Sequence, residues 1–99
     1  MTSKHWEEDR IGRNATIALI GEGKVIDRFE VDRGHRNGPE IHSITDKAVI
    51  IITNKASGKL ITKLIARPGQ IRRYYEEGKA PQALIRQAKI NLEKGYNEM

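Results

Sequence analysis

Hydrophobic residues gather in one uninterrupted run, Ala48 to Ile52, and alternate with polar residues on either side of it. Such a run fits a strand covered on both faces or lying at the centre of a sheet. Asn54 to Gly58 is small and polar, which predicts a turn and an antiparallel return strand. On that return Leu60, Thr62, Leu64 and Ala66 take one face, and Ile61, Lys63, Ile65 and Arg67 take the other. Lys63 and Arg67 are thus expected to share a face about 13 Å apart. Glu40 to Lys47 leads into the apolar run, with His42 expected at a strand edge.

A second hairpin is expected upstream. Asn14 to Ile20 predicts a strand with Ile17 and Leu19 on one face and Ala18 and Ile20 on the other. Gly21-Glu22-Gly23 supplies the turn, and Lys24 to Val31 the partner strand. There Val25, Phe29 and Val31 face one way while Arg28 and Glu30 face the other, a pattern with one wet side. Asp27 falls on the apolar side, where a bulge would move it outward.

Downstream of the sheet the period changes to that of helices. Pro68 can open a helix without losing a needed hydrogen bond, and Ile71, Tyr74 and Tyr75 then form a stripe that ends at Gly78. Pro81 starts a second helix with the stripe Leu84, Ile85, Ala88 and Leu92. Lys94 suits its last turn, Gly95 its stop, and Tyr96 can fold back on Ile90. The expected fold is α+β: an antiparallel sheet of four or five strands, made of two hairpins, packed with two C-terminal helices. Residues 14–99 are expected to form a single domain, and residues 1–13, where Trp6 and Ile11 are the large apolar residues, a flexible arm.

Composition narrows the function classes. The absence of cysteine removes disulfides and thiolate metal sites. No apolar run approaches the roughly 20 residues of a membrane span. The N-terminal residues lack the apolar middle of a signal peptide, so the expected setting is the cytoplasm. Net charge is +5, unevenly placed. Residues 1–32 carry five basic and seven acidic side chains, whereas residues 33–99 carry thirteen basic and six acidic ones. That imbalance favours polyanions, nucleic acid first, through counterion release. A solvated lysine-rich surface gives the same composition.

Candidate chemistry concentrates in the loop and the strands that follow it. Asp32 to Pro39 holds two glycines, two arginines and a histidine, and amides in such a turn can cradle an anion. His35, Glu40, His42 and Asp46 lack the spacing of a metal site, so neither a metal nor another cofactor is expected. No serine or threonine sits in a nucleophile elbow, and no glycine pattern matches a phosphate loop or a dinucleotide site. Metal-independent RNA cleavage asks for a base, an acid and cations for the phosphorane-like charge. His35 and His42 are candidates for the proton transfers, Lys63, Arg67 and Arg73 for the phosphate, and Thr62 or Tyr74 for a hydrogen bond to it. Arg33, Arg36, Lys63, Arg67, Arg72, Arg73 and Tyr74 are the candidate nucleic-acid contacts.

His42-Ser43-Ile44-Thr45-Asp46, Leu60-Ile61-Thr62-Lys63 and the run Ala66 to Tyr75 resemble small uncharacterised proteins of bacterial prophages and mobile elements. More distantly, a basic sheet bearing histidine, threonine and arginine is similar to the barnase, colicin E5 and RelE-like group of ribonuclease toxins. The resemblance implies a nucleic-acid-binding domain, RNA ahead of DNA, with ribonuclease activity as its chemistry. The competing class is a non-catalytic interaction module. Tyrosine and arginine favour protein contacts, and an edge strand can pair with its symmetry mate in a homodimer.

Overall fold

The computed structural model describes Ile17 and residues 21–93. Four strands, β1 (Val25–Val31), β2 (Glu40–Thr45), β3 (Val49–Asn54) and β4 (Leu60–Ile65), form one antiparallel sheet in the order β1-β2-β3-β4. Two helices follow, α1 (Pro68–Arg72) and α2 (Gln82–Glu93). The architecture is the α+β class read from the sequence. The expected arm, the stop at Gly95 and the contact of Tyr96 lie outside the described residues.

Register divides the sheet into two faces. Across one, Phe29, His42, Ile52 and Thr62 stand in a row, next to Asp27, Ile44, Ile50 and Leu64. The helices close this face: Ile71, Leu84, Ile85 and Ala88 pack with Ile44, Ile50 and Ile52 into the main core, and Phe29, Leu64, Tyr74 and Tyr75 border it. Across the other face run Arg28, Ser43, Ile51 and Lys63, and there Ile17, Val49 and Ile65 form a second buried cluster. β3 is interior in the sheet, and its neighbours Val49 and Ile50 are buried on opposite faces, as an unbroken apolar run requires.

β1 takes β2 as its partner, and of the expected upstream strand only Ile17 is among the described residues. Ile17, inside the expected strand, is helical, and its carbonyl accepts a hydrogen bond from the Gly21 amide (2.8 Å), the span of one α-helical turn. The rest of the Asn14–Ile20 segment is outside the described residues. A short apolar run without strict alternation carries no period to separate strand from helix. Asp27 does not move outward as expected. The register shifts between Val25 and Asp27, yet β1 alternates regularly in burial and Asp27 stays on the helix-covered face. It remains there because the Tyr75 hydroxyl donates to its Oδ2 (2.5 Å).

α1 is shorter than its stripe suggested. After Arg72 the chain tightens, with Tyr74 and Tyr75 amides donating to the carbonyls three residues back, Ile71 (3.1 Å) and Arg72 (3.3 Å). That turn lays both tyrosine rings on Phe29, at centroid distances of 5.3 and 5.1 Å. In α2 the fourth inward position is Asn91, fully buried, while Leu92 is exposed. Asn91 Nδ2 donates to the Lys47 carbonyl (3.0 Å) and its Oδ1 accepts from Gln87 Nε2 (3.0 Å), so the amide tethers α2 to the β2–β3 turn.

Candidate functional site

His42 and the two tyrosines after α1 bring polar groups to the helix-covered face of the sheet. His42 is 1% exposed. Its Nε2 lies 2.9 Å from Glu40 Oε1 and its Nδ1 2.5 Å from the Tyr74 hydroxyl. A carboxylate only accepts, so Nε2 carries the proton and Nδ1 takes one from the phenol. Arg33 Nε reaches the same Glu40 oxygen at 3.6 Å. Burial is the main force raising the Tyr74 pKa; Glu40 adds to it and Arg33 works against it. Tyr75 is raised by burial first, and further by the Asp27 carboxylate that holds its hydroxyl.

These two phenols predict a pH dependence. In the unfolded chain they titrate near pH 10. Above that pH the unfolded state has lost protons that the folded state still binds, so their contribution, complete below about pH 10, declines as pH rises. Urea midpoints measured from pH 8 to 11 should fall on the alkaline side, and less steeply for Tyr75→Phe than for the parent. Equal slopes would show that Tyr75 ionises alike in both states.

The candidate catalytic residues do not converge. His42 sits under the helices and both its nitrogens are engaged. Thr62 shares that face on the outer strand β4, and its hydroxyl donates to the Lys63 carbonyl (3.4 Å). His35 is exposed in the β1–β2 loop, which docks on the β3–β4 turn through Asn54 Nδ2 to the Asn37 carbonyl (2.9 Å) and the Lys55 amide to the Pro39 carbonyl (3.0 Å). Arg67 lies beyond the other end of β4, where the Ala66 amide donates to the Ala48 carbonyl (2.8 Å). Six strand residues separate the two ends, about 20 Å. Two amides of the loop that can cradle an anion are also occupied from within: the Gly34 amide donates to Asp32 Oδ1 (2.9 Å) and the Gly38 amide to the His35 carbonyl (3.0 Å).

The expected pair of Lys63 and Arg67 on one strand face does not form either. β4 ends at Ile65, and Arg67 leaves the sheet to precede α1, where its amide donates to Gln70 Oε1 (2.8 Å). Lys63 stays on the face opposite His42 and pairs with Glu22 at 2.7 Å. Four of the basic side chains are likewise committed: Arg33 to Glu40, Lys55 to Glu30, Lys63 to Glu22 and Lys79 to Glu76. Arg36, Arg67, Arg72 and Arg73 are exposed and make no ion pair with a described residue. Among the described residues, no three His, Asp or Glu side chains gather to hold a metal, and no helix is long and apolar enough to cross a membrane.

What the structure does gather is the run from Arg72 to Glu77 and the start of α2. Between them lies an open depression of about 360 Å³, with Arg72, Arg73, Glu76 and Glu77 around it and Tyr75 and Ile85 among its lining. Glu76 and Glu77 were not among the candidate residues. Their signal was present as Arg-Arg-Tyr-Tyr-Glu-Glu, two guanidiniums, two rings and two carboxylates in succession. Comparison with known proteins finds no match: no family model, no curated protein and no solved structure matches the chain.

Proposed function

We propose that this chain is a small basic domain that binds single-stranded nucleic acid, RNA ahead of DNA, through the arginines that flank and follow α1. One observation carries the reading. Arg67, Arg72 and Arg73 are exposed together around one five-residue helix and make no ion pair with a described carboxylate. Unpaired guanidiniums keep their donors for phosphate oxygens, which they meet bidentately. A lysine already held by a carboxylate offers less. The adjoining depression, with an aromatic ring in its lining, suits an unstacked base better than a duplex. The cytoplasm, where RNA is available, is the compartment that goes with this proposal.

Binding without cleavage is the expected activity. His42 offers no free nitrogen to a substrate in solvent, and His35 stands at the far end of β4 from Arg67. The test is titration of single- and double-stranded RNA and DNA oligonucleotides over a range of salt. Three phosphate contacts predict a slope of log K against log salt of about −2 on a single strand. The triple variant Arg67→Ala, Arg72→Ala, Arg73→Ala should bring that slope towards zero, whereas Lys63→Ala should barely change it. No binding at low salt ends the proposal. RNA cleavage that His35→Ala abolishes would restore the ribonuclease reading. A salt-resistant homodimer broken by Ile61→Lys would favour an interaction module instead. Leu60 and Ile61 are 55% and 50% exposed on the outer strand β4, the place for an edge-strand pair.

A further inference from the structure

The depression beside α1 contains a feature that phosphate binding leaves unexplained. Glu76 and Glu77 stand with Arg72 and Arg73 around the same space, and carboxylates repel a phosphodiester backbone. They become favourable only towards a group that donates hydrogen bonds. On a nucleic acid such donors are the ring and exocyclic N–H groups of the base edges. Glu76 is engaged by Lys79 at 3.1 Å, whereas Glu77 makes no ion pair with a described residue.

The wall of the depression is fixed for the same task. The Tyr75 hydroxyl is held by Asp27 (2.5 Å), and the ring stands edge-on to Phe29 at 5.1 Å and 83°. A ring anchored at its hydroxyl and packed against a neighbour keeps its orientation before any ligand arrives, so less ordering remains to be done on binding. Ile85, itself buried, adds an apolar side chain to the same lining. An apolar side chain, a fixed aromatic ring, hydrogen-bond acceptors and guanidiniums around one depression together match one nucleotide: base inside, phosphate outside. A volume near 360 Å³ admits a unit of that size.

From this we infer that the depression is a base-selective pocket, in which Glu77 accepts from the N–H groups of an amino-bearing base while Arg72 and Arg73 take the adjoining phosphates. This rests on the nucleic-acid reading above and adds base identity to it. Guanine fits best, since its ring N–H and exocyclic amine lie side by side and can meet one carboxylate together. Adenine and cytosine offer an amine alone. Uracil is the poorest ligand, because carbonyl oxygens flank its single N–H and would face the carboxylate.

The experiment compares uridine-run RNA oligonucleotides that carry one central guanosine, cytidine, adenosine or uridine, at low salt, on the parent and Glu77→Gln. The parent should bind the guanosine oligonucleotide on the order of tenfold tighter than the all-uridine one, the low end of what a bidentate contact gives. Glu77→Gln removes a negative charge and should tighten every complex somewhat, so the readout is the ratio between bases. That ratio should collapse, because a glutamine amide offers uracil a donor as well as an acceptor. Equal binding of all four oligonucleotides by the parent would overturn the pocket and leave the arginine surface standing. A guanosine preference unchanged in Glu77→Gln would also overturn it. Binding of none of them would remove the nucleic-acid reading and the pocket together.

Discussion

His42→Ala should lose about 3–5 kcal/mol of folding stability, the range of large-to-small changes in a packed core. The ring is 1% exposed, so its removal leaves a cavity between β2 and the turn after α1. It also strands two polar groups. The Tyr74 hydroxyl loses its acceptor and Glu40 loses its shortest partner, with only Arg33 at 3.6 Å remaining. Each such orphan costs roughly 1–3 kcal/mol when it stays buried. His42→Phe separates these effects, since it refills the volume but restores neither hydrogen bond. Adding Tyr74→Phe to His42→Phe should recover part of the loss, because removing both partners of a buried hydrogen bond is nearer to neutral than removing one. Urea denaturation of the three variants measures this directly. A His42→Ala protein within about 1 kcal/mol of the parent would mean that the core closes over the site, outside the usual cost of such a truncation.

The fate of His42 illustrates what the sequence makes legible. Its spacing from Ile44 places both side chains on one strand face, and that inference needs no partner. Burial of that face depends on Tyr74, 32 residues later, and no local pattern joins the two. The β3–β4 hairpin was legible because a continuous apolar run and a polar turn are both local signals. Both helix starts were legible for a similar reason, each having a proline ahead of a 3.6-residue stripe. The pairing of β1 with β2 was not, because an eight-residue loop, rather than a tight turn, separates the two strands. Asp27 and Asn91 were hidden by their own polarity. Each occupies an inward position of its element, and each is tolerated there through a bond to a distant segment, Tyr75 and the Lys47 carbonyl respectively. The basic candidates divided on a similar principle. Charge counting treats Lys63 and Arg67 alike, but only folding brings Glu22 to Lys63.

Gly23→Ala should cost roughly 2–3 kcal/mol, about 1–2 from the left-handed backbone and the rest from a lost hydrogen bond. Gly23 has φ +83°, and a Cβ there would stand 2.3 Å from Asp46 Oδ1 and 2.6 Å from Lys47 Cγ. Asp46 cannot give way freely. Its Oδ1 accepts from the Lys24 amide (2.7 Å) and its own amide donates to the Lys24 carbonyl (2.9 Å), a clamp between the entry to β1 and the β2–β3 turn. Gly34 is the matched control, with φ +73° and nothing within 4 Å of its Cβ position. Gly34→Ala should therefore show the backbone penalty alone. The difference between the two variants measures the clamp, and Asp46→Ala in the Gly23→Ala background should add little further loss. Equal destabilisation of Gly23→Ala and Gly34→Ala would show that Asp46 moves aside without cost. The clamp matters beyond stability, because three residues past Lys24 stands Asp27, the carboxylate that fixes Tyr75. A β1 strand released at its entry would loosen the ring on which the proposed base pocket depends, so Gly23→Ala should also weaken the guanosine preference while leaving the salt slope of the arginine contacts unchanged.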